Sequence, residues 1–545
     1  MRGDIMSDAT MDSGHVGAQS PLPKMDHKPH VAGALIFFIV LLCALGFTAF
    51  SVLSDINNAG GTTLATGAFV LLGLALLIAL GFEFVNGFHD TANAVATVIY
   101  THSLPPMVAV VWSGTFNFLG VLTSTGAVAY SVVNLLPVEL ILQVGSGAGY
   151  AMIFALLIAA IIWNLGTWAF GLPNSSSHAL VGSIMGVGIA NQVMAPSGSA
   201  TSGVDWHQAL TVGEALLFSP ICGFILSGLL LLLSKRFITN KALYTAPEGI
   251  KPPPGWIRAL LIATCTGVSF FHGGNDGQKG MGLIMLILIG AAPTAYALNR
   301  AIPESSTPAF IQTAQEAQAV LQAHGAGSSP GSVAAARDRV GLALRTGEVD
   351  QPEVYSALSV LTGDIATQVK NYGSLHNIPA AAAPNVRNDM FLASDAIRLN
   401  KAPSGFSAEE NGKLKGLMGA LNAGTRFIPI WVKVAVAVAL GLGTMVGWKR
   451  IVVTVGEKIG KTHLTYGQGA SAEIVAMGTI GLAEVYGLPV STTHILSSGV
   501  AGTMAANGSG LQWGTLKAMA LAWVMTLPAA MAIAGSLYVI LRQVF

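Results

Sequence analysis

The sequence predicts an all-α polytopic membrane protein built from two inverted-topology repeats. Three observations support this fold class: long apolar runs recur along the chain, two sets of polar motifs recur at fixed spacings, and only 10% of the 545 residues are charged, against about 25% in soluble domains. Roughly 20 apolar residues are needed to cross a bilayer as a helix. Runs near that length lie at 32–52, 66–82, 107–128, 151–170, 215–233, 257–271, 280–298, 431–448, 469–486 and 519–541. We expect about 10–12 membrane segments.

An internal repeat divides these runs into two copies. Residues 171–191, which begin GLPNSSSH, align without gaps on residues 487–507, which begin GLPVSTTH, with 9 of 21 positions identical at an offset of 316. A second pair, 81–90 and 267–276, aligns at an offset of 186 and ends on an aspartate in both copies. The two offsets differ by 130, so the second copy holds about that many additional residues.

The additional residues are predicted to form a small, mainly helical extramembrane insertion at 300–428. This segment holds 22 of the 53 charged residues, and its stretches 308–323 and 332–344 have helix-forming composition. The predicted organisation is a disordered polar tail at 1–31, an extra N-terminal transmembrane helix at 32–53, a first repeat at 65–234, the start of a second repeat at 257–299, the insertion at 300–428, and the remainder of the second repeat at 429–545.

Clusters of Lys and Arg in short loops predict the orientation of the two copies. The loops at 235–258 and 449–461 are rich in these residues, which indicates the cytoplasmic side. If 257–298 is one span broken at 273–275, the insertion lies outside and 431–448 returns the chain to the cytoplasm. The first repeat then begins outside and the second begins inside, with the N-terminus inside. Copies of opposite orientation are typical of secondary transporters.

Two carboxylates lie inside apolar segments, at Asp90 and Asp276. A charge at mid-membrane depth costs roughly 2.5–3.5 kcal/mol on insertion scales, so such residues need a partner or water. Each follows a glycine-rich turn, which favours a broken helix whose freed backbone groups face a cavity. The functional interpretation is cation or proton coupling, and the structural alternative is a carboxylate that caps a half-helix. Their matched positions in two repeats favour function.

Hydroxyl clusters directly follow each Gly-Leu-Pro sequence and precede an apolar stretch, so each is predicted to begin a helix. The clusters are Ser175, Ser176 and Ser177 in the first copy and Ser491, Thr492 and Thr493 in the second. A helix N-terminus with free N–H groups and several hydroxyls is an anion site. Plain helix capping explains either cluster alone, whereas two opposed clusters could donate to all faces of a tetrahedral oxyanion.

Other ionisable residues near the motifs are candidates for coupling. Positive charge or proton relay is possible for His89, His272 and Lys279, and proton or cation binding for Glu83 and Glu473. For His89, His272 and Lys279 a structural role is an equal alternative. His178 and His494, one turn into the predicted helices, are packed histidines at least as readily as proton carriers.

Several function classes are disfavoured by composition and motif. A net charge of +1 gives no indication of a nucleic-acid partner. The cysteines are scattered without paired spacing and are predicted to be packing residues; they are Cys43, Cys222 and Cys265. An intramembrane hydrolase is disfavoured because neither serine cluster is Gly-x-Ser-x-Gly and the polar residues are duplicated. Sulfate as cargo and a passive anion channel remain alternatives.

The four motifs resemble those of the inorganic phosphate transporter (Pit) family. They read NGFHDTAN at 86–93, GLPNSSSH at 171–178, HGGNDGQKG at 272–280 and GLPVSTTH at 487–494. The resemblance covers residues 66–545. The Gly-Gln-Lys continuation and the large insertion are similar to the bacterial low-affinity, proton-coupled branch.

That resemblance implies a secondary active transporter, not an enzyme, in the bacterial inner membrane. Its substrate would be inorganic phosphate, moved as a neutral complex with a divalent cation such as Mg²⁺, in symport with protons and by alternating access. No permanently bound cofactor is expected, and a homodimer is implied by the resemblance.

The resemblance also implies roles for individual residues. Two re-entrant hairpins, near 171–191 and 487–507, would hold phosphate through their Ser and Thr clusters. Residues expected to line the midplane are Asp90, Thr91, Asn93, Asn275, Asp276 and Gln278, with Asp90 and Asp276 as ligands of the co-transported divalent cation. Where the sodium-dependent branch has Glu-Phe-x-Gly, this chain has Asn117-Phe-Leu-Gly120, which argues against sodium coupling. Lys279 stands where the first copy has Asn93, so the two copies are not equivalent.

Overall fold

The fold is helical throughout the part of the chain that the structure describes. A computed structural model describes residues 23, 25, 31–59, 66–90, 92–136, 140–141, 146–196, 203–325, 331–400 and 405–545, with residues 92 and 93 described by their backbone. Across these ranges the β structure is one isolated bridge between Gly460 and Leu511. The all-α fold class is confirmed, and most of the predicted tail at 1–31 lies outside the described residues.

The apolar runs correspond to a series of helices. Those outside the segment 300–428 are α1 (Val31–Asn58), α2 (Thr66–Asp90), α3 (Ala92–Tyr100), α4 (Pro106–Thr123), α5 (Ala127–Val133), α6 (Gly147–Ala169), α7 (Ser176–Val193), α8 (Trp206–Phe237), α9 (Gly255–Ala291), α10 (Pro293–Tyr296), α16 (Ile430–Thr444), α17 (Lys449–Glu457), α18 (Tyr466–Val485), α19 (Thr492–Asn507) and α20 (Trp513–Leu541).

The segment 300–428 forms its own group of helices, as its composition predicts. They are α11 (Thr307–His324), α12 (Val333–Thr346), α13 (Pro352–Tyr372), α14 (Ala383–Leu399) and α15 (Ala408–Thr425). The predicted helices at 308–323 and 332–344 correspond to α11 and α12. Apolar side chains from all five helices are buried between them, including Leu321, Val340, Leu361, Val386 and Leu417.

Six helical stretches in the described ranges are long and apolar enough to cross a membrane. They are α1, α2 with α3, α4, α6, α8 and α20, and a seventh is added if α15 and α16, which meet at 73°, are one bent span. The 37-residue α9 is not among them, and it carries the polar stretch around Asp276. The chain is therefore a multi-pass membrane protein, and the total of 10–12 segments stays a prediction.

The predicted helix break at 273–275 is wrong, because α9 continues unbroken through it. Its glycines allow close helix contact rather than unwinding. A Cβ atom on Gly273 would lie 2.1 Å from the carbonyl oxygen of Asn117, and one on Gly280 would lie 2.2 Å from Glu83 Oε1. In the first copy α2 ends at Asp90 and α3 begins at residue 92; residue 91 lies outside the described residues, so the predicted break there stays a prediction.

The predicted span at 431–448 is also not one helix. The helix α16 has 15 residues, a length of about 22 Å that falls short of the roughly 30 Å hydrocarbon core. A turn at Gly447, with φ of +70°, separates α16 from α17. This part of the chain therefore forms two helices, the short α16 and the amphipathic α17.

Two matched turns position the hydroxyl clusters. The helices α6 and α18 end just before Gly171 and Gly487, whose φ values are +66° and +65°. A left-handed residue after a helix is a common C-terminal stop, and glycine adopts it without strain. The chain then reverses through Leu-Pro into α7 and α19. We call residues 170–175 the first turn and 486–491 the second turn.

The helices that follow the two turns pack reciprocally on the long helices of the other copy. The helix α7 packs along α20, and α19 packs along α8. Glycines at matched positions make these contacts close: a Cβ on Gly186 would lie 2.2 Å from the Met531 carbonyl oxygen, and one on Gly502 would lie 2.0 Å from that of Phe224.

Contacts between helix ends place the segment 300–428 at one face of the molecule. Asp55, near the end of α1, accepts hydrogen bonds from Tyr296 Oη at 2.8 Å and Trp431 Nε1 at 2.9 Å. The basic end of α8 lies at a different face, where Lys235 donates to Asn507 at the end of α19.

Candidate functional site

The two turns meet at the centre of the molecule. Ser177 Oγ, near the start of α7, donates to the carbonyl oxygen of Val490 in the second turn at 2.9 Å. The rings of His178 and His494 lie 4.6 Å apart, between their centroids. Both histidines are buried, and His494 stacks on Trp523 at 4.1 Å. The chain thus brings together two hydroxyl clusters that are 316 residues apart in sequence.

Each cluster begins a helix, as predicted. Ser175 is the N-cap of α7 and accepts from the backbone N–H of His178, and Ser491 is the N-cap of α19 and accepts from that of His494. The positive ends of two helix dipoles therefore point toward the same region. The remaining hydroxyls of each cluster are left available for other partners.

Asp90 joins the two clusters. Its Oδ2 accepts a hydrogen bond from Ser176 Oγ at 2.5 Å, and its Oδ1 accepts one from Thr493 Oγ1 at 2.6 Å. The imidazole of His89 lies against the same carboxylate, with Nδ1 3.1 Å from Oδ1. Ser176 Oγ also lies 2.7 Å from Asn86 Oδ1. One buried carboxylate therefore organises hydroxyls from both clusters.

Asp276 is paired with a lysine. Lys279 Nζ lies 2.5 Å from Asp276 Oδ1 and also contacts Ser177 Oγ and the carbonyl oxygen of Val490, the latter at 3.3 Å. Lys279 is 1% exposed and Asp276 is fully buried. The Lys279 ammonium group therefore lies between the carboxylate of Asp276 and the hydroxyl of Ser177, which belongs to the other copy. No such group lies between Asp90 and Thr493, which contact each other directly.

His272 approaches Asp276 without bonding to it. Its Nε2 lies 3.3 Å from Asp276 Oδ2, yet neither atom makes a hydrogen bond of acceptable direction. The contact between these two atoms is therefore mainly electrostatic. The other ring nitrogen, Nδ1, contacts Asn117 Oδ1 at 3.0 Å, and Asn117 donates to Thr444 Oγ1 at 3.1 Å.

The two carboxylates and one imidazole form a potential cation site. Asp90, His272 and Asp276 each offer one ligand atom, and these atoms lie within 4.8 Å of one another. Carboxylate oxygens with an imidazole nitrogen suit divalent cations of the Mn²⁺ or Zn²⁺ type, and the oxygens alone suit Mg²⁺. The sequence-predicted pair of metal ligands, Asp90 and Asp276, is thus brought together with a third group.

Two of the predicted phosphate ligands instead bind protein groups. Asn275 Nδ2 donates to the carbonyl oxygen of Leu488 at 3.1 Å, and its Oδ1 accepts from the Val490 N–H at 3.4 Å. Gln278 donates to Glu484 at 3.3 Å and accepts from the N–H of Val128 at 2.9 Å. These amides fix the second turn and α5 against α9. Their role toward phosphate stays a prediction.

Some of the other residues predicted for the site lie at its centre, and others lie farther away. Glu83 is fully buried beside Gly280, with Oε2 3.5 Å from Asn86 Nδ2 and Oε1 unbonded. Glu473 is buried apart from the central contacts and accepts from Thr264. Thr492 Oγ1 is buried without a hydrogen-bond partner. Thr91 and the side chain of Asn93 lie outside the described residues.

Two central groups were not identified from the sequence. Asn86 stands one helical turn before Asp90, so the i to i+4 spacing alone predicts that both share a face. The carbonyl oxygen of Val490 accepts from Ser177 and Lys279, and no sequence signal reveals a backbone acceptor of this kind.

Comparison with known proteins decides the family. A model described as "Phosphate transporter family" matches residues 86–534. The chain belongs to this phosphate transporter family. It is 42% identical over 496 residues to the low-affinity inorganic phosphate transporter PitA of Escherichia coli (strain K12), covering 88% of this chain and 97% of that protein. It is 41% identical over 499 residues to PitB of the same organism, covering 89% and 98%.

More distant proteins also match over most of their length. A probable low-affinity inorganic phosphate transporter of Bacillus subtilis (strain 168) is 29% identical over 480 residues, 87% of this chain and 99% of that protein. A solved structure described as "The sodium-dependent phosphate transporter" aligns at 20% identity with a TM-score of 0.47, over 87% of this chain and 100% of the other. The family consists of transporters, so the chain is not an enzyme.

Proposed function

We propose that this phosphate transporter family member is a low-affinity secondary transporter of inorganic phosphate in the bacterial inner membrane. In this proposal phosphate crosses as a complex with a divalent cation, together with protons. The observation that carries the proposal is the meeting of Ser176 and Thr493, one from each hydroxyl cluster, on the carboxylate of Asp90. Two helix N-termini with their hydroxyls are suited to a tetrahedral oxyanion.

The charges at the centre argue for co-transported cations. Asp90 and Asp276 carry two negative charges when ionised, Lys279 neutralises one of them, and Glu83 adds a further buried carboxyl. His89 adds positive charge only when protonated. A phosphate anion entering this region is repelled unless protons or a divalent cation accompany it, because buried like charges are strongly unfavourable. Asp90, which accepts hydrogen bonds from hydroxyls of both clusters, is the proposed coupling carboxylate.

Lys279 supports a mechanism that does not use sodium. Its ammonium contacts a carboxylate, a hydroxyl and a backbone carbonyl, from Asp276, Ser177 and Val490, which is a set of oxygen ligands that would suit a small monovalent cation. Because the lysine ammonium supplies the positive charge at that position, no monovalent cation from solution is needed there. Asn117, where the sodium-dependent branch has a glutamate, hydrogen-bonds His272 instead.

The proposed architecture is a pair of inverted repeats with two re-entrant hairpins, α6–α7 and α18–α19. The reciprocal packing of α7 on α20 and of α19 on α8, with glycines at matched positions, supports it. The side that carries the basic loops would be cytoplasmic and the segment 300–428 would lie outside. Transport would then proceed by alternating access, with the hairpins opening the centre to one side at a time.

The experiment that tests the proposed substrate is uptake of radiolabelled phosphate into proteoliposomes that contain the purified chain. We expect concentrative uptake that tenfold excess unlabelled phosphate suppresses and tenfold excess sulfate leaves nearly unchanged. Ser176→Ala, which removes a hydroxyl from Asp90, should reduce the rate by about tenfold, the effect of one charge-assisted hydrogen bond. Equal suppression by sulfate would make the cargo a general oxyanion. Downhill flux alone would indicate a channel.

A further inference from the structure

Two buried histidines face each other where the two turns meet. His178, on α7, and His494, on α19, occupy matched positions in the two copies. Their ring centroids lie 4.6 Å apart, and the residues are 7% and 2% exposed. Among the described residues, neither His178 Nδ1 nor His494 Nε2 has a hydrogen-bond partner. Buried polar atoms normally have partners, so two unbonded ring nitrogens at matched positions need an explanation.

A third aromatic ring connects this histidine pair to the first turn. Trp523, on α20, stacks on His494 with 4.1 Å between the ring centroids. Its Nε1 donates to the carbonyl oxygen of Pro173 at 2.9 Å. The face of an indole ring attracts a cation, so it favours a positive charge on a ring that stacks against it. The three rings therefore link the two hydroxyl-bearing helices and suit a shared positive charge.

The charged groups around the histidine pair lie on three helices. The helices that pack on α7 and α19 are α2, α3, α6, α8, α18 and α20. Every charged side chain and histidine of α8 and α20 is exposed, and α3 and α6 have none. Lys279, on α9, contacts Ser177 beside the pair. The groups to consider are therefore Glu83, His89 and Asp90 on α2, Asp276 and Lys279 on α9, and Glu473 and Glu484 on α18.

The arrangement favours neutral rings when phosphate is absent. Lys279 is positive and contacts the neighbour of His178, and both histidines lie near the start of a helix, where the dipole disfavours a positive charge. A phosphate anion held by the hydroxyl clusters would reverse this balance, because Ser177 and Thr493 directly precede the two histidines. Binding of phosphate and binding of a proton by the pair would then favour each other.

We propose that His178 and His494 together bind one of the protons that accompany phosphate, in addition to the coupling carboxylate Asp90. The inference rests on the proposed function, because it gives a co-transported proton a binding site. A neutral imidazole has one ring nitrogen with a lone pair. The proton enters from the external solution, adds to such a nitrogen while phosphate is bound, and leaves to the cytoplasm with phosphate. The pair holds a single proton, since two charged rings 4.6 Å apart would repel each other.

The test measures how far phosphate accumulates in proteoliposomes across a clamped pH difference of one unit. The variant His178→Gln with His494→Gln is compared with the unmodified full-length chain and with His207→Gln, an exposed histidine of α8 that serves as the matched control. Each coupled proton raises the final accumulation ratio by about tenfold per pH unit, so the double variant should lower that ratio by about tenfold. The control should leave it unchanged. Titration of phosphate itself is the same for every variant, so the difference belongs to the histidines.

An unchanged final ratio in the double variant would overturn the inference. A slower approach to the same final ratio would overturn it too, because that result indicates a structural role of the rings. A second measurement covers a double variant that does not fold. Magnetic resonance of the imidazole nitrogens in the unmodified chain, in mildly alkaline detergent solution, should show one histidine becoming charged when phosphate and Mg²⁺ are added, and no such change would contradict the proposal.

The same magnetic resonance titration separates this inference from the proposed function. If the unmodified chain takes up no phosphate, the proposed function fails first. The titration does not depend on transport, so a histidine that gains a proton on addition of phosphate would still support the pair, and the absence of that change would reject it.

Discussion

Replacement of Asp90 by Asn should reduce phosphate uptake by about a hundredfold or more. The carboxylate accepts hydrogen bonds from Ser176 and Thr493, and each such bond to a charged group contributes roughly 1.5–3 kcal/mol. An amide has one acceptor oxygen and would turn its NH₂ group toward the other hydroxyl, so both contacts lose the strengthening that the negative charge gives them. The variant also removes a proposed coupling charge. The measurement is the initial rate of labelled phosphate uptake into proteoliposomes.

The matched control for this variant is Asp350→Asn, an exposed aspartate in the segment 300–428. It should transport at a rate close to that of the unmodified chain. If Asp90→Asn also transported within twofold of the unmodified chain, neither the joining of the clusters nor the coupling role would stand.

Replacement of Lys279 by Met should destabilise the protein by about 3–5 kcal/mol, the typical effect of leaving one partner of a buried ion pair alone. Asp276 is fully buried, and Lys279 is its close cationic partner at 2.5 Å. Thermal unfolding of the purified protein in detergent measures the change. Lys517→Met, at an exposed position on α20, provides the control.

A double variant separates charge from packing. Asp276→Asn combined with Lys279→Met leaves no uncompensated charge, so it should recover much of the lost thermal stability while remaining inactive in transport. If the double variant were as unstable as Lys279→Met alone, the destabilisation would come from lost packing of the lysine stem, and the ion-pair argument would be wrong.

The parts of the fold that depend on local chemistry could be predicted from the sequence. Ser175 and Ser491 begin helices because a hydroxyl after Gly-Leu-Pro accepts a free helical N–H. The helical character of 300–428 follows from its composition. Internal repetition also predicted that the carboxylates and both hydroxyl clusters share a centre, but the hydrogen bonds from both clusters to Asp90 were not predicted.

What the sequence did not reveal depends on tertiary contacts. The glycines of α9 predict a helix break from the sequence. In the fold they instead allow close packing against Asn117 and Glu83, a contact that the sequence does not reveal. Asn275 and Gln278 were expected at the ligand, and the structure gives their amides protein partners.

The most direct test of the account is phosphate uptake into proteoliposomes under four conditions, with and without an inward proton gradient and with and without Mg²⁺, and with sodium absent throughout. We expect concentrative uptake only when both the proton gradient and Mg²⁺ are present, and loss of that uptake in Asp90→Asn. Uptake that is independent of the proton gradient, or that requires sodium, would contradict the coupling proposed for Asp90 and the charge-replacing role of Lys279.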